Sequence, residues 1–517
     1  MMRMTCFAMA LGLAACAAPT TTQDLDTEDL TPPSADGKAE AWDRANNPAY
    51  VDGTFLMHVS QLPPAGESAH RPISGDYWAV YKDGINARWD GPMSPAEKYA
   101  RAFGKDVRAV QEAVSRANGV KAHADRPSCE TDADCQDLED GSACGASYDG
   151  AMKRCIPTWF GICHGWAPYA YMEPQAVTPV TRRAPDGTAI TFYPSDLEAL
   201  MSLLYTDIDS KFLSSRCELG AGDGNTVVTD NSGRVVHAAC RDMNPGTWHV
   251  LVGNRVGLRR EGFVLDQTLN YEVWNQPGWK YEIVNARGGE LVEVSRAEAT
   301  ALVGGAGGGY PWNAEARRFF HVEMDFTFVV ESQPSRTPRD AADFARKKRY
   351  SYVLETDENG KIFGGEWVGA SKEEHPDFAW WATSTPSGEV SGIGYADVRG
   401  LNDEAAGAGA GDRETLLDDH ELTHTFWTRS TYRTLNLPAG YRRVTLVMTG
   451  TGDARLMVGH KGKEPNLIGS KLCDANVDDT ANQSCSFDVD PAGGPYHVRV
   501  RSEQEGTRVT LVATKIK

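Results

Sequence analysis

Eleven cysteines are spread over 517 residues, and their spacing limits the fold more than any other feature. Cys129, Cys135, Cys144 and Cys155 lie in one tight run rich in Gly, Asp and Ser. So polar a segment cannot build its own core, and it is expected to be stapled by two disulfides. Four cysteines allow three pairings, and the sequence leaves all three open. Zinc is the rival reading of this run, but its spacing is loose. Cys217 and Cys240 bracket a Gly/Asn/Asp-rich loop and are expected to pair, as are Cys473 and Cys485. Cys6 and Cys16 belong to the N-terminal leader. This arithmetic leaves Cys163 alone, and a lone thiol in an exported protein is a nucleophile candidate.

Export is read from the opening MMRMTCFAMALGLAAC. Arg3 supplies a positive start, Phe7 to Leu13 a short apolar stretch, and Leu13-Ala14-Ala15-Cys16 a lipobox. Residues 1–15 are then a signal peptide, Cys16 carries lipid, and 16–48 form a flexible tether. An ordinary secretory signal cut near Ala18 is the alternative. Either reading exports the protein: lipid-anchored at the bacterial outer membrane or cell surface, or secreted. No stretch of about 18 apolar residues follows, so the only membrane contact expected is the lipid. The formal net charge of −19 argues against nucleic-acid binding, which needs clustered Lys and Arg.

Around Cys163 the chain reads Pro157-Thr158-Trp159-Phe160-Gly161-Ile162-Cys163-His164-Gly165-Trp166-Ala167-Pro168. Pro157 and Gly161 read as loop, and Pro168 as an early helical position. Cys163 is thereby placed at a helix N-terminus, where the dipole and free N–H groups favour a thiolate. The bland reading is an inert buried cysteine. A thiolate needs a base and the base an orienter. His249, in Trp248-His249-Val250-Leu251-Val252, and Asp266, in Phe263-Val264-Leu265-Asp266, are expected on two paired strands, side by side. A satisfied core histidine and an unrelated acid are the alternative. Trp159, Trp166 and Trp248 could wall such a site and exclude water, or pack the core.

At these residues the chain resembles the transglutaminase elicitor family, found in plant-pathogenic oomycetes and in bacteria. The resemblance is carried by segments Tyr77–Gly104, Thr158–Ala170, Cys240–Asn254, Phe263–Pro277 with its Val273-Trp274-Asn275-Gln276-Pro277, and Gly360–Trp380. It implies an α+β, papain-like catalytic core in which Cys163 is the nucleophile, His249 the base and Asp266 the orienter. The implied activity is that of a protein-glutamine γ-glutamyltransferase, joining Gln-bearing proteins to Lys side chains or small primary amines. With water as acceptor the same triad gives a glutamine deamidase or a cysteine protease. A non-catalytic surface adhesin is the rival of another class. No cofactor is required, and calcium is an open option. Gly278-Trp279-Lys280 follows Pro277 where family members differ, which argues against plant recognition of that segment.

Elsewhere, Ser94-Pro95-Ala96-Glu97 is a capping box, followed by Tyr99, Phe103, Val107, Val110 and Val114 at helical spacing to Asn118-Gly119. Helices first and strands from His249 onward give an α+β core over 49–390, with the Cys-rich insert at 127–157. Arg346-Lys347-Lys348-Arg349 reads as a solvated helix end. A linker is expected at 391–413. Short alternating strands at 414–517 then suggest a β-sandwich resembling the bacterial pre-peptidase C-terminal domain. Before it, His420-Glu421-Leu422-Thr423-His424 matches the zinc-protease pattern. The residues that follow favour a strand, no third ligand is in reach, and no metal site is expected.

Overall fold

The computed structural model describes residues 46–214, 243–267, 272–305, 310 and 312–406, and strands between 415 and 516. The leader with Cys16, most of the tether, and both Cys217 and Cys240 lie outside the described residues. Contacts divide the chain into one unit of Met1–Glu173 with Pro179–Arg399, and a second of Pro174–Thr178 with Gly400–Lys517. The first half of the expected linker is folded, into the strand Ile393–Gly394 and the helix Tyr395–Ala405.

The first unit is built on a curled, nine-stranded sheet. Its main path runs Ile362–Trp367, Ala345–Thr356, Arg318–Val329, Asn275–Ile283, Phe263–Asp266, Phe378–Ala382, Ser210–Ser214. Neighbours along this path are antiparallel. Phe263, Leu265, Phe326, Tyr350, Tyr352 and Trp381 belong to one buried cluster. Side chains alternate across a strand, so Val264, Asp266 and their partners project from the other face. Arg346–Arg349 falls on a strand rather than a helix end, and three of its four charges are paired: Arg349 with Asp325, Lys347 with Asp325 at 3.5 Å, Lys348 with Glu374 at 3.4 Å.

Several helices precede the long strands of the sheet. The periodic run from Pro95 to Asn118 is two helices, Pro95–Ala102 and Val107–Asn118. Gly104 at φ +64° ends the first, a left-handed position that glycine adopts without strain. Asp106 starts the second, its Oδ1 accepting Ala109 N–H at 2.8 Å. Further on, helix Pro194–Leu204 is wholly buried. Its Asp196 pairs with buried Lys98 at 2.5 Å and accepts from Trp89 Nε1 at 3.1 Å.

The Cys-rich insert is pinned by Cys129–Cys144 and Cys135–Cys155, which settles its pairing. Its hairpin, Ser142–Ala146 with Lys153–Pro157, is seated on the core by Tyr148 N–H donating to Asp83 Oδ2 at 2.8 Å. The second unit holds a five-stranded and a four-stranded sheet. The strands expected there are present, and Gln483–Asp488 alternates buried and exposed as a half-buried strand should. Cys473 and Cys485 are bonded as expected. Glu421–Thr425 is a strand, and His420 lies outside the described residues. The helix face that a zinc-protease motif requires is therefore not formed.

Candidate functional site

Cys163 is the first residue of the helix Cys163–Met172. The Ile162 carbonyl accepts Gly165 and Trp166 N–H at 2.9 and 3.1 Å, and Ile162 N–H donates to the Tyr77 carbonyl at 2.7 Å. These bonds fix the turn that presents the sulfur. Gly161 is required beside it, since a Cβ there would lie 2.4 Å from the Tyr77 oxygen. Gly165 lets this helix meet Pro194–Leu204, because its Cβ would lie 2.0 Å from the Ser202 carbonyl oxygen. Pro168 sits past the first turn, deeper than expected.

Two sequence expectations fail here. Cys163 is not a lone thiol: it is disulfide-bonded. Counting cysteines by local loop content could not find a bond of that kind. His249 is not on a strand: it lies in the helix Pro245–Val252. Asn244 caps that helix, accepting Gly246 N–H at 2.8 Å, and Pro245 occupies its first turn. Asn-Pro at a helix start is a strong signal, and it outweighs the β-branched run behind it. No hairpin joins His249 to Asp266. The Asp266 strand pairs with Asn275–Ile283 and Phe378–Ala382 instead.

Cys163 and Asp266 are brought to the same region, with two residues the sequence reading overlooked. Asp266 is directly opposite Asn275 in the strand register. Asn275 Nδ2 lies 3.5 Å from Cys163 Sγ, and Asn275 Oδ1 accepts Trp380 Nε1–H at 2.7 Å. All four residues are buried. Trp274 N–H faces Asp266 Oδ1 at 3.5 Å, and its ring meets Tyr77 edge-on at 5.4 Å. Asn275 stands in the Val273-Trp274-Asn275-Gln276-Pro277 segment already singled out, so that segment was the available signal.

His249 is placed differently. Its Nδ1 is 2.9 Å from Tyr352 Oη, and Tyr352 belongs to the cluster on the other sheet face. Burial pushes the imidazole pKa down to about 3, so the ring is neutral and a weak base where it stands. Trp248 packs against Phe263, Phe326 and Tyr350 on that same face. Trp166 lies at Gly75 beside Glu198, and Trp159 meets Phe160 edge-on.

Carboxyls crowd the Tyr77 side of the site. Burial raises Glu198 well above its usual range, helped by the charge of Asp76. Burial also raises Asp76 to about 6, against hydrogen bonding from Trp78 N–H and the field of Lys82. Glu198 accepts Asp76 N–H at 3.1 Å and Trp78 Nε1–H at 2.9 Å.

A curled antiparallel sheet, with a cysteine opening a buried helix against it, defines a transglutaminase-like α+β fold. Residues 43–408 match the transglutaminase elicitor family model, and the chain belongs to that family. The structure is similar to the crystal structure of the GP42 transglutaminase from Phytophthora sojae, at 33% identity and TM-score 0.59, covering 71% of this chain and 99% of that one. Two short matches each cover 20% of this chain at TM-score 0.17. One is PliG of Aeromonas hydrophila, a periplasmic lysozyme inhibitor, at 18% identity and 95% coverage of its own chain. The other is the pre-peptidase C-terminal domain of a Bacillus anthracis collagenase, at 8% identity and 96% coverage. Similarity at that level carries no argument. No curated protein matches the chain. Among the described residues no helix is long and apolar enough to cross a membrane.

Proposed function

We propose that the protein is an exported protein-glutamine γ-glutamyltransferase with Cys163 as its nucleophile. The observation that carries the reading is Cys163 opening a buried helix in a fold shared with a transglutaminase. An external thiol or dithiol first reduces the disulfide, and the Cys163 thiol then passes its proton to the base, leaving a thiolate that the helix N-terminus stabilises. The thiolate attacks the γ-carboxamide carbon of a substrate glutamine. The C–N bond breaks, ammonia departs with a proton from the base, and a thioester remains. A lysine or small primary amine gives up a proton to the base and attacks. The C–S bond breaks, leaving an isopeptide and the thiolate. No cofactor enters these steps.

Family resemblance, not geometry, supplies the base. That resemblance assigns His249 as the base and Asp266 as its orienter, whereas the imidazole stands against Tyr352 on the sheet face opposite Asp266. The disulfides fit an oxidising compartment, consistent with export and with lipidation at Cys16.

The test is incubation of reduced protein with a glutamine-rich protein and a fluorescent primary amine, beside Cys163→Ala and His249→Ala. Incorporation lost in both variants is the expected result. Equal incorporation by Cys163→Ala overturns the proposal, and activity retained by His249→Ala returns that residue to the core. Ammonia release without incorporation makes the protein a deamidase, and peptide cleavage makes it a protease.

A further inference from the structure

The amide of Asn275 belongs to the reaction rather than to the packing. Its Nδ2 lies 3.5 Å from Cys163 Sγ, and the orientation of the amide is fixed chemically. An indole nitrogen only donates, so the atom 2.7 Å from Trp380 Nε1 is the amide oxygen. The NH₂ group must then face the sulfur. Asn275 is fully buried and stands on a strand paired with Phe263–Asp266, so the donor is held before any substrate arrives.

We propose that Asn275 Nδ2 is an oxyanion donor for acyl transfer at Cys163; this rests on the reading of Cys163 as the acyl-transfer nucleophile. When the thiolate bonds to the carboxamide carbon, the C=O electron pair moves to oxygen. That oxygen is one bond from the carbon now attached to sulfur, within reach of a donor already beside the sulfur. Cys163 opens its helix, so the positive end of the helix dipole adds to the field of the Asn275 amide at the developing charge. Collapse of the intermediate returns the electron pair to the carbonyl and expels ammonia. Preorganised donors of this kind act on charge that exists only in the transition state. A carboxylate at this position would instead repel both thiolate and oxyanion. Trp380 is a positioning residue, acting through the amide it turns.

Asn275→Asp and Asn275→Ala test the proposal, with Cys163→Ala as the reference. Removing one oxyanion donor lowers kcat about 10²- to 10³-fold. The KM for the glutamine protein should change by less than about threefold, as expected for an interaction made in the transition state. Alkylation of reduced Cys163 by iodoacetamide forms no oxyanion, so its rate should barely change in Asn275→Ala, whereas in Asn275→Asp the added charge slows it as well. Trp380→Phe frees the amide to turn and should lower kcat by roughly tenfold, part of the full donor loss. Should Asn275→Asp fail to fold, the alanine and Trp380 variants carry the comparison. Full kcat in Asn275→Ala overturns the proposal. So does alkylation of Asn275→Ala that falls in step with kcat, which would make the amide a partner of the thiolate alone. Activity surviving in Cys163→Ala refutes the acyl-transfer reading itself, whatever Asn275 does.

Discussion

Replacing Asp76 with Asn should change how stability depends on pH, and the size follows from where Asp76 sits. The residue precedes Tyr77, whose carbonyl holds Ile162 at the start of the Cys163 helix. Burial raises its carboxyl from 3.8 to about 6. The folded protein therefore holds this proton more tightly than the unfolded chain does. Stability from this group is greatest below pH 3.8 and declines as the unfolded chain ionises, levelling off once pH passes about 6. A shift of about two units corresponds to about 3 kcal/mol. Glu198 is raised too, by burial and then by the Asp76 charge, so its titration adds to the decline. Asn keeps the oxygen that accepts Trp78 N–H and removes the charge. Denaturant unfolding without reductant, followed by tryptophan fluorescence across about pH 4 to 7, measures the effect. Wild type should lose stability over that interval, the variant should lose clearly less, and the variant should be the more stable at the upper end. Parallel curves would refute the argument that burial holds this carboxyl protonated.

Lys98→Met strands Asp196 in a buried site and should cost about 3–5 kcal/mol in denaturant unfolding. Burial already raises the Asp196 carboxyl while Lys98 opposes it, so the cost should shrink as pH falls and the acid takes a proton. Gly165→Ala drives a Cβ to 2.0 Å from a backbone oxygen; it should cost at least about 1–3 kcal/mol and lower amine incorporation, because the helix carrying Cys163 must move. Iodoacetamide should label Cys163 only after reductant is added, read as a mass shift on the peptide containing it; labelling without reductant would contradict the bonded sulfur.

The sequence made the helix start at Cys163 legible, because loop residues and a tolerated proline bracket it. Alternation made the C-terminal strands legible for the same local reason. The strand expected at His249 does not form because the Asn-Pro cap before it outweighs the apolar, β-branched residues after it. The break at Gly104 went unnoticed because helical spacing happens to continue across it. Asn275 carries no local sign of belonging to the site. Its role depends on Trp380, more than a hundred residues away in the chain, and on strand pairing that no local pattern encodes. The bond at Cys163 is equally non-local.

With Cys163 as the proposed nucleophile, its capped sulfur also governs how active molecules can be counted. A thiol-directed titrant applied to the protein as isolated measures how much reductant it has met, not how many competent centres it contains. Two preparations of identical purity can then differ widely in specific activity. Rates per molecule become comparable only when labelled Cys163, rather than total protein, is the denominator.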